Sequence, residues 1–266
     1  MSQLNNPLEI YKLLPKSNCR QCQIPTCLAF AVAVIQGQKD LADCPHLESN
    51  IIERFEGKID KRMTSEQQQE QFLKQMKREI ATIDFSSSAE RLGASLLGEK
   101  LKIKCLGKNF FVDPHGNISS DCHINAWVTI PLLDYILSCS GNNITGEWVP
   151  FRELKNGNTW NVLFEPGCEK PFKQLADNHT DLFEKILYVF GGRPATDNFS
   201  SDISLVLHPL PNIPILISYY KPEDDLDSKL NIFFDATAED NLHIRSIFLL
   251  GIGLLTMFQK IAVRHS

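Results

Sequence analysis

Cysteine is where this sequence concentrates its chemistry. Four of its eight cysteines fall within 26 residues: Cys19, Cys22, Cys27 and Cys44, spaced C-x2-C-x4-C-x16-C. Four thiolates are what a cubane iron–sulfur cluster requires. The first three are close enough to wrap one site in a loop, and the fourth must return across an intervening element. Four cysteines also suit zinc, although zinc sites usually show two C-x2-C knuckles and here a single pair stands.

The intervening element is legible. Thr26 to Gln36 is an apolar helical run that stops at Gly37. Cys27 therefore falls in the first turn of a helix, where free N–H groups and about half a unit of positive charge favour an anionic ligand. N–H bonds to sulfur also tune a cluster's reduction potential. Cys44-Pro45 closes the return loop, a pairing that recurs in cluster loops.

The rest of the chain reads as an ordinary globular protein of 266 residues, 43% hydrophobic and 22% charged. Its net charge of −5 argues against nucleic acid as a partner. The opening residues Met1 to Ile10 lack a basic and an apolar region, so no export signal is expected and a cytoplasmic location follows. Thiols there stay reduced, which favours metal over disulfide and leaves the sequons at Asn117, Asn143, Asn178 and Asn198 without meaning. The uncharged run Ser246 to Gln259 is 14 residues, short of the roughly 17–25 a membrane helix needs, so it reads as a buried helix with no membrane contact.

The expected fold class is α+β: a small helical cluster module over 1–60, connecting helices over 61–98 and a mixed α+β domain over 99–266. Phe72, Met76 and Ile80 form a narrow apolar stripe on a polar connecting helix, with a break at Ser86-Ser87-Ser88 and helix again over Arg91 to Leu97. Strands are expected at 101–105, 109–112, 160–164, 204–207, 213–220 and 230–234. Helices are expected at 130–138, entered at Pro131, at 182–190 and at 243–263.

The residues around the cysteines are familiar as a set. Leu8 to Pro15, Asn18 to Ala31 and Asp43-Cys44-Pro45 closely resemble the 4Fe–4S domain at the N-terminus of the corrinoid iron–sulfur protein large subunit in acetyl-CoA decarbonylase/synthase systems. The resemblance covers about residues 5–60. It implies one 4Fe–4S cluster held by Cys19, Cys22, Cys27 and Cys44, acting as a low-potential electron donor. A ferredoxin-like protein would supply the electron and a partner redox protein, by preference a corrinoid protein, would accept it. From about residue 90 the chain resembles an uncharacterised domain family of anaerobes. Leu132 to Ile136, Gly146 to Leu154, Pro209 to Pro214 and Phe233-Phe234-Asp235 carry that resemblance, which implies no activity. The same combination admits two other functions: a cluster-dependent sensor or interaction module, or a redox enzyme with its active site in the second domain.

Several second-domain residues invite chemistry and meet a blander reading. Asp121, His123 and Ala126 match part of the cobalamin loop D-x-H-x-x-G, but alanine replaces the glycine, and chance explains a partial motif. Cys105, Cys122, Cys139 and Cys168 match no metal spacing and read as buried small hydrophobes, with Cys168 after Pro166-Gly167 the most exposed. Trp148, Phe151, Arg152 and Glu153 could form a partner surface, or a salt bridge beneath a core tryptophan. Asp235, Glu239 and Asp240 could bind a cation, but read better as acids at a helix start. The run Glu223 to Asp227 reads as solvated, and no nucleotide or hydrolase motif occurs.

Overall fold

The computed structural model describes residues 6–55, 58–59, 65–195, 200–224 and 226–265. Asn198, Asp225 and residues 61–64 of the connector lie outside the described residues. The chain divides into two compact units, Met1–Lys74 and Gln75–Ser266.

The first unit is helical. Asn6 caps α1 (Pro7–Leu13) by accepting from the Leu8 N–H at 2.9 Å, and Pro7 occupies the first turn, where its missing N–H costs nothing. Thr26 caps α2 (Cys27–Ile35) through the Ala29 N–H at 3.1 Å. Gly37, at φ +70°, closes α2: its N–H reaches Val34 and the Gln38 N–H reaches Ala33, the paired bonds of a Schellman end. A single turn at Leu41–Asp43 and α3 (Ser49–Phe55) follow. Ile10, Leu14, Phe30, Val34 and Leu41 form the core, and Cys27 and Cys44 are buried among them.

The polar helix α4 (Ser65–Ile80) buries Met76 and Ile80, while Phe72 is 36% exposed. Asp84 caps α5 (Phe85–Ser88). The expected helix over Arg91 to Leu97 does not form. Gly93 takes φ +56°, and a Cβ there would stand 2.8 Å from Pro211, so the chain turns out of helical geometry. Ser95–Leu97 becomes β1 instead. It opens an antiparallel meander with β2 (Lys100–Cys105), β3 (Lys108–Val112) and β4 (Ile118–Ser119). Leu106 and Gly107, both at positive φ, make the two-residue hairpin turn between β2 and β3.

Helix α6 (Ala126–Ser138) begins a turn earlier than its proline suggested. Asn125 caps it, and Pro131 lies inside, giving up one helical bond. Strand β5 (Trp148–Pro150) and the turn Phe151–Glu153 lead into α7 (Gly157–Phe164), where a strand was expected over 160–164. A five-residue apolar run does not distinguish the two. Burial of Gly157 and Phe164, with Trp160 and Asn161 half-buried and Val162 72% exposed, is the spacing of a helix face. A π turn (Glu165–Glu169) joins α7 to α8 (Lys170–Asn178), and α9 (Thr180–Val189) follows.

The second sheet is also antiparallel. It contains β6 (Arg193–Pro194), β7 (Ile203–Leu210), β8 (Ile213–Tyr220) and β9 (Lys229–Asp235) in the order β5-β9-β8-β7-β6. A bulge in β7 between Leu207 and Leu210 accommodates Pro209. There His208 O accepts from the Leu106 N–H, tying the two sheets together. Helix α10 (Ala238–Asn241) precedes α11 (Ile244–His265). Its stretch Ile244–Arg264 is long and apolar enough to cross a membrane by length and composition, beyond the 14-residue estimate. Here it packs along α6, α7, α8 and α9.

Two buried polar residues fix the loop after α6. Asn241 accepts from the N–H groups of Gly141 and Asn142, each at 3.1 Å. Asp235, fully buried, accepts from the N–H groups of Thr145, Gly146 and Thr237 at 3.0, 2.7 and 3.0 Å, and from the hydroxyl of Thr237 at 2.7 Å. Burial alone would raise its pKa, but the Thr237 hydroxyl and these N–H bonds outweigh it and hold the carboxyl below its usual range.

Two outcomes follow from this packing. A Cβ at Gly157 would lie 1.8 Å from Phe151 O, so Gly157→Ala should cost about 3 kcal/mol, the upper end for overpacking, read as a lowered denaturation midpoint. Asp235, with its folded pKa depressed, adds stability that is present above its unfolded value and lost as pH falls through its folded one. Asp235→Asn should remove about 1–3 kcal/mol near pH 7 and flatten the acid limb of the stability profile; an acid limb identical to the parent's would contradict this assignment.

Candidate metal centre

The four cysteines line one small cavity, together with Leu14, Asn18, Arg20, Ile24 and Phe30. Their exposures differ: Cys27 and Cys44 are buried, Cys22 is intermediate and Cys19 is exposed. The cavity is thus rooted in the core of the first unit and reaches the surface at Cys19. Among the described residues, no three His, Cys, Asp or Glu side chains gather closely enough to hold a single metal ion.

The loop that carries the first three cysteines has an uncommon backbone. Lys16, Asn18, Arg20 and Gln23 all take positive φ, between 50° and 66°. None is glycine, and each such residue costs about 1 kcal/mol or more. Left-handed residues interspersed along a loop turn successive N–H groups toward one concave side, an arrangement that binds anions and is found at iron–sulfur sites. Asn18 makes this explicit. Its N–H donates to Cys27 Sγ at 3.4 Å, and its side-chain oxygen accepts from the Cys27 N–H at 2.8 Å. Cys27 begins α2, as its spacing predicted, so its sulfur lies at the positive end of that helix. The Gln23 N–H closes a turn onto Arg20 O at 2.9 Å, around Cys22. On the return side, the Asp40 N–H bonds Asp43 Oδ2 at 2.8 Å and the Cys44 N–H bonds Leu41 O at 3.1 Å, which fixes Cys44 facing the loop. Cysteine spacing pointed to four residues that line this cavity but not to the part played by Asn18, whose only signal was asparagine's tolerance of left-handed backbone.

The donor set, with the Asn18 N–H on the Cys27 sulfur, fits an iron–sulfur cluster. Four soft thiols line one concavity, and the cavity's lining contains no carboxylate among the described residues.

The second-domain candidates separate. Cys168 is not the exposed thiol expected: it is fully buried, because the Pro166-Gly167 segment continues as a π turn and presses the sulfur against α11 at Gly251. Burial, with Glu169 beside it, pushes its thiol well above the ordinary range. Cys122 is the most exposed of the four. Cys105, Cys122 and His123 share a cavity, but Cys139 lies elsewhere, bonded to Arg91 O and Asn241 Oδ1. His123 sits in the loop between β4 and α6, and that strand belongs to an antiparallel meander rather than to a parallel strand–helix alternation. The Arg152–Glu153 pair is 3.7 Å apart and well exposed, so it does not lie beneath a core tryptophan. Phe151 is the buried member, stacked on Phe164 at 4.0 Å. Of the three acids, Glu239 and Asp240 fall in the first turn of α10, as expected, where they accept from Asn156 and Asn142, whereas Asp235 is the last residue of β9 and clamps the loop after α6.

Comparison with known proteins follows the same division. A family model described as "Putative Fe-S cluster" matches residues 14–46. The corrinoid/iron-sulfur protein large subunit of Moorella thermoacetica is 55% identical over 40 residues, 15% of this chain and 9% of that protein. The acetyl-CoA decarbonylase/synthase complex subunit gamma 1 of Methanosarcina thermophila is 50% identical over 44 residues, 16% of this chain and 9% of that protein. The gamma subunit of Methanocaldococcus jannaschii is 40% identical over 52 residues, 20% and 11% respectively. The chain thus spans about a tenth of the length of these relatives. No solved structure matches the chain. A second model matches residues 84–257, well over half of the sequence, so the chain belongs to the family described as "Domain of unknown function (DUF3786)", with an iron–sulfur segment ahead of it.

Proposed function

We propose that Cys19, Cys22, Cys27 and Cys44 hold one 4Fe–4S cluster and that the protein is a low-potential electron-transfer accessory. The observation that carries this reading is the meeting of cysteines from both sides of α2 at one cavity, beneath a loop of left-handed residues. When bound, such a cluster supplies one-electron transfer. The protein's own part is to hold the thiols, to donate the Asn18 N–H to sulfur and to leave a surface approach at Cys19. A partner docks on that side, where Arg20 and Lys16 are exposed and favour an acidic, ferredoxin-like donor. The likeness to corrinoid/iron-sulfur subunits makes a corrinoid protein the preferred acceptor, in a cytoplasmic, anaerobic setting.

A second reading rests on a specific observation. Cys27 and Cys44 belong to the apolar core of the first unit, so the cluster would also brace the fold, and its loss would alter partner binding. That is the behaviour of a sensor. A reversible couple well below about −300 mV supports the electron donor; loss of fold on oxidation, without a reversible couple, supports the sensor.

The composition test is iron and acid-labile sulfide after anaerobic purification, with an EPR spectrum after dithionite. About four of each per chain is the expected result; one zinc without sulfide would end the proposal. Cys27→Ser should lose most of the iron, whereas Cys168→Ser should retain it. Asn18→Ala removes the acceptor for the Cys27 N–H and strains the N–H···S bond. The couple should therefore move to more negative potential at unchanged iron content.

A further inference from the structure

The second unit contains a cavity of about 560 Å³, inside the range of about 300–1,000 Å³ typical of small-molecule sites. One wall is α11. Leu250, Gly253, Met257, Lys260 and Arg264 recur at spacings of three and four, so a single helix face lines the cavity over about 21 Å. The hairpin tip of the first sheet, the start of α6 and the bulge of β7 close the other sides, through Phe110, Trp127, Leu132 and Leu210. The lining is mostly apolar. Cys105 contributes as an apolar group, since burial, with Cys122 nearby, raises its thiol to about 12.

Charge on this surface is one-sided. Lys108, Lys260 and Arg264 line the cavity, and no Asp or Glu does so among the described residues. The chain as a whole has 32 acidic against 27 basic residues, so a cation-only lining departs from its composition. Lys260 and Arg264 are exposed and stand one turn apart at the end of α11, while Met257 and Leu254 continue the same face inward. An apolar trough that ends in two cations matches a molecule with an elongated apolar body and one anionic head.

The wall is also held open by construction. Gly253 lets α11 approach α6 so closely that a Cβ there would stand 2.8 Å from Trp127 Cβ. Leu106, held at φ +49° at the hairpin tip, lines the cavity and is tied to β7 through its N–H. Both contacts set the trough's position independently of any occupant.

We infer that this cavity is a binding site for an amphipathic organic anion, with Lys260 and Arg264 receiving the head and the α11–α6 trough receiving the apolar body. The test uses the full chain and dodecanoate as the probe, followed by displacement of 1-anilinonaphthalene-8-sulfonate fluorescence. Dodecanol and dodecyltrimethylammonium serve as neutral and cationic controls. Saturable binding at one per chain is expected, with dodecanoate preferred over both controls. Lys260→Glu with Arg264→Glu, at exposed positions that leave the core intact, should weaken dodecanoate about tenfold and leave dodecanol unchanged. Met257→Trp should fill the trough and weaken both. Equal binding of anion, alcohol and cation would overturn the inference, as would dodecanoate binding that ignores the charge reversal. Sedimentation as a dimer that Met257→Arg dissociates, with no probe bound, would instead assign this face to a second copy of the chain.

Discussion

The first unit is governed by one constraint: four cysteines from two separated segments line a single cavity. Nothing in helix packing alone demands it. Meeting it requires a loop that turns through four left-handed residues, a helix that begins at Cys27 and a return turn that ends at Cys44. Each left-handed non-glycine residue is unfavourable by itself. They persist together because the Asn18–Cys27 pair, the Thr26 cap and the apolar packing of Phe30 and Leu41 over-determine the loop. Within it, the Asn18 N–H is aimed at the Cys27 sulfur, which stands at the positive end of α2.

The second unit obeys a different constraint, set by a long apolar helix against two antiparallel sheets. Helix α11 carries too much apolar surface for one neighbour. It is divided among α6, α7, α8 and α9, and glycines decide where it can approach closely. Gly251 receives the Cys168 sulfur and the Phe164 ring, and Gly253 receives Trp127. Replacing either contact by a wider spacing would open voids, which interiors do not tolerate cheaply. What remains of the apolar face lines the cavity. The helix that could cross a membrane by length is therefore in this fold both core and wall.

The legible parts of the sequence were those in which one local signal dominates. Cysteine spacing identified the residues that share a cavity, and Thr26 to Gly37 marked both ends of α2. Strand-forming runs identified β2, β3, β7, β8 and β9, but not the two- and three-residue strands β1, β4, β5 and β6. The parts that misled were those where tertiary contacts override a local signal. Pro166-Gly167 reads as a break, yet a π turn carries the chain through it and buries Cys168. Arg91 to Leu97 has helical composition, yet Gly93 must turn beneath Pro211. The run Trp160 to Phe164 has strand-forming residues, yet the stacking of Phe151 on Phe164 needs the helix. The trough of the second unit draws its lining from five separated segments, so no local pattern could announce it.

Cysteine in this chain therefore has two physical characters, and environment separates them. Cys105 and Cys168 are buried among carbon with their thiols raised, which makes them inert small hydrophobes. Cys19, Cys22, Cys27 and Cys44 line one cavity that reaches the surface at Cys19, with the Asn18 N–H donated to the Cys27 sulfur. Net charge is an equally poor guide when taken over the whole chain. The protein is acidic in sum, yet cations without carboxylates line both the thiol cavity and the trough of the second unit, each among the described residues. Arg20 lines the first, and Lys108, Lys260 and Arg264 line the second. The two concavities are built by unrelated means: a loop bent through left-handed residues in the first, side chains carried on one helix face in the second.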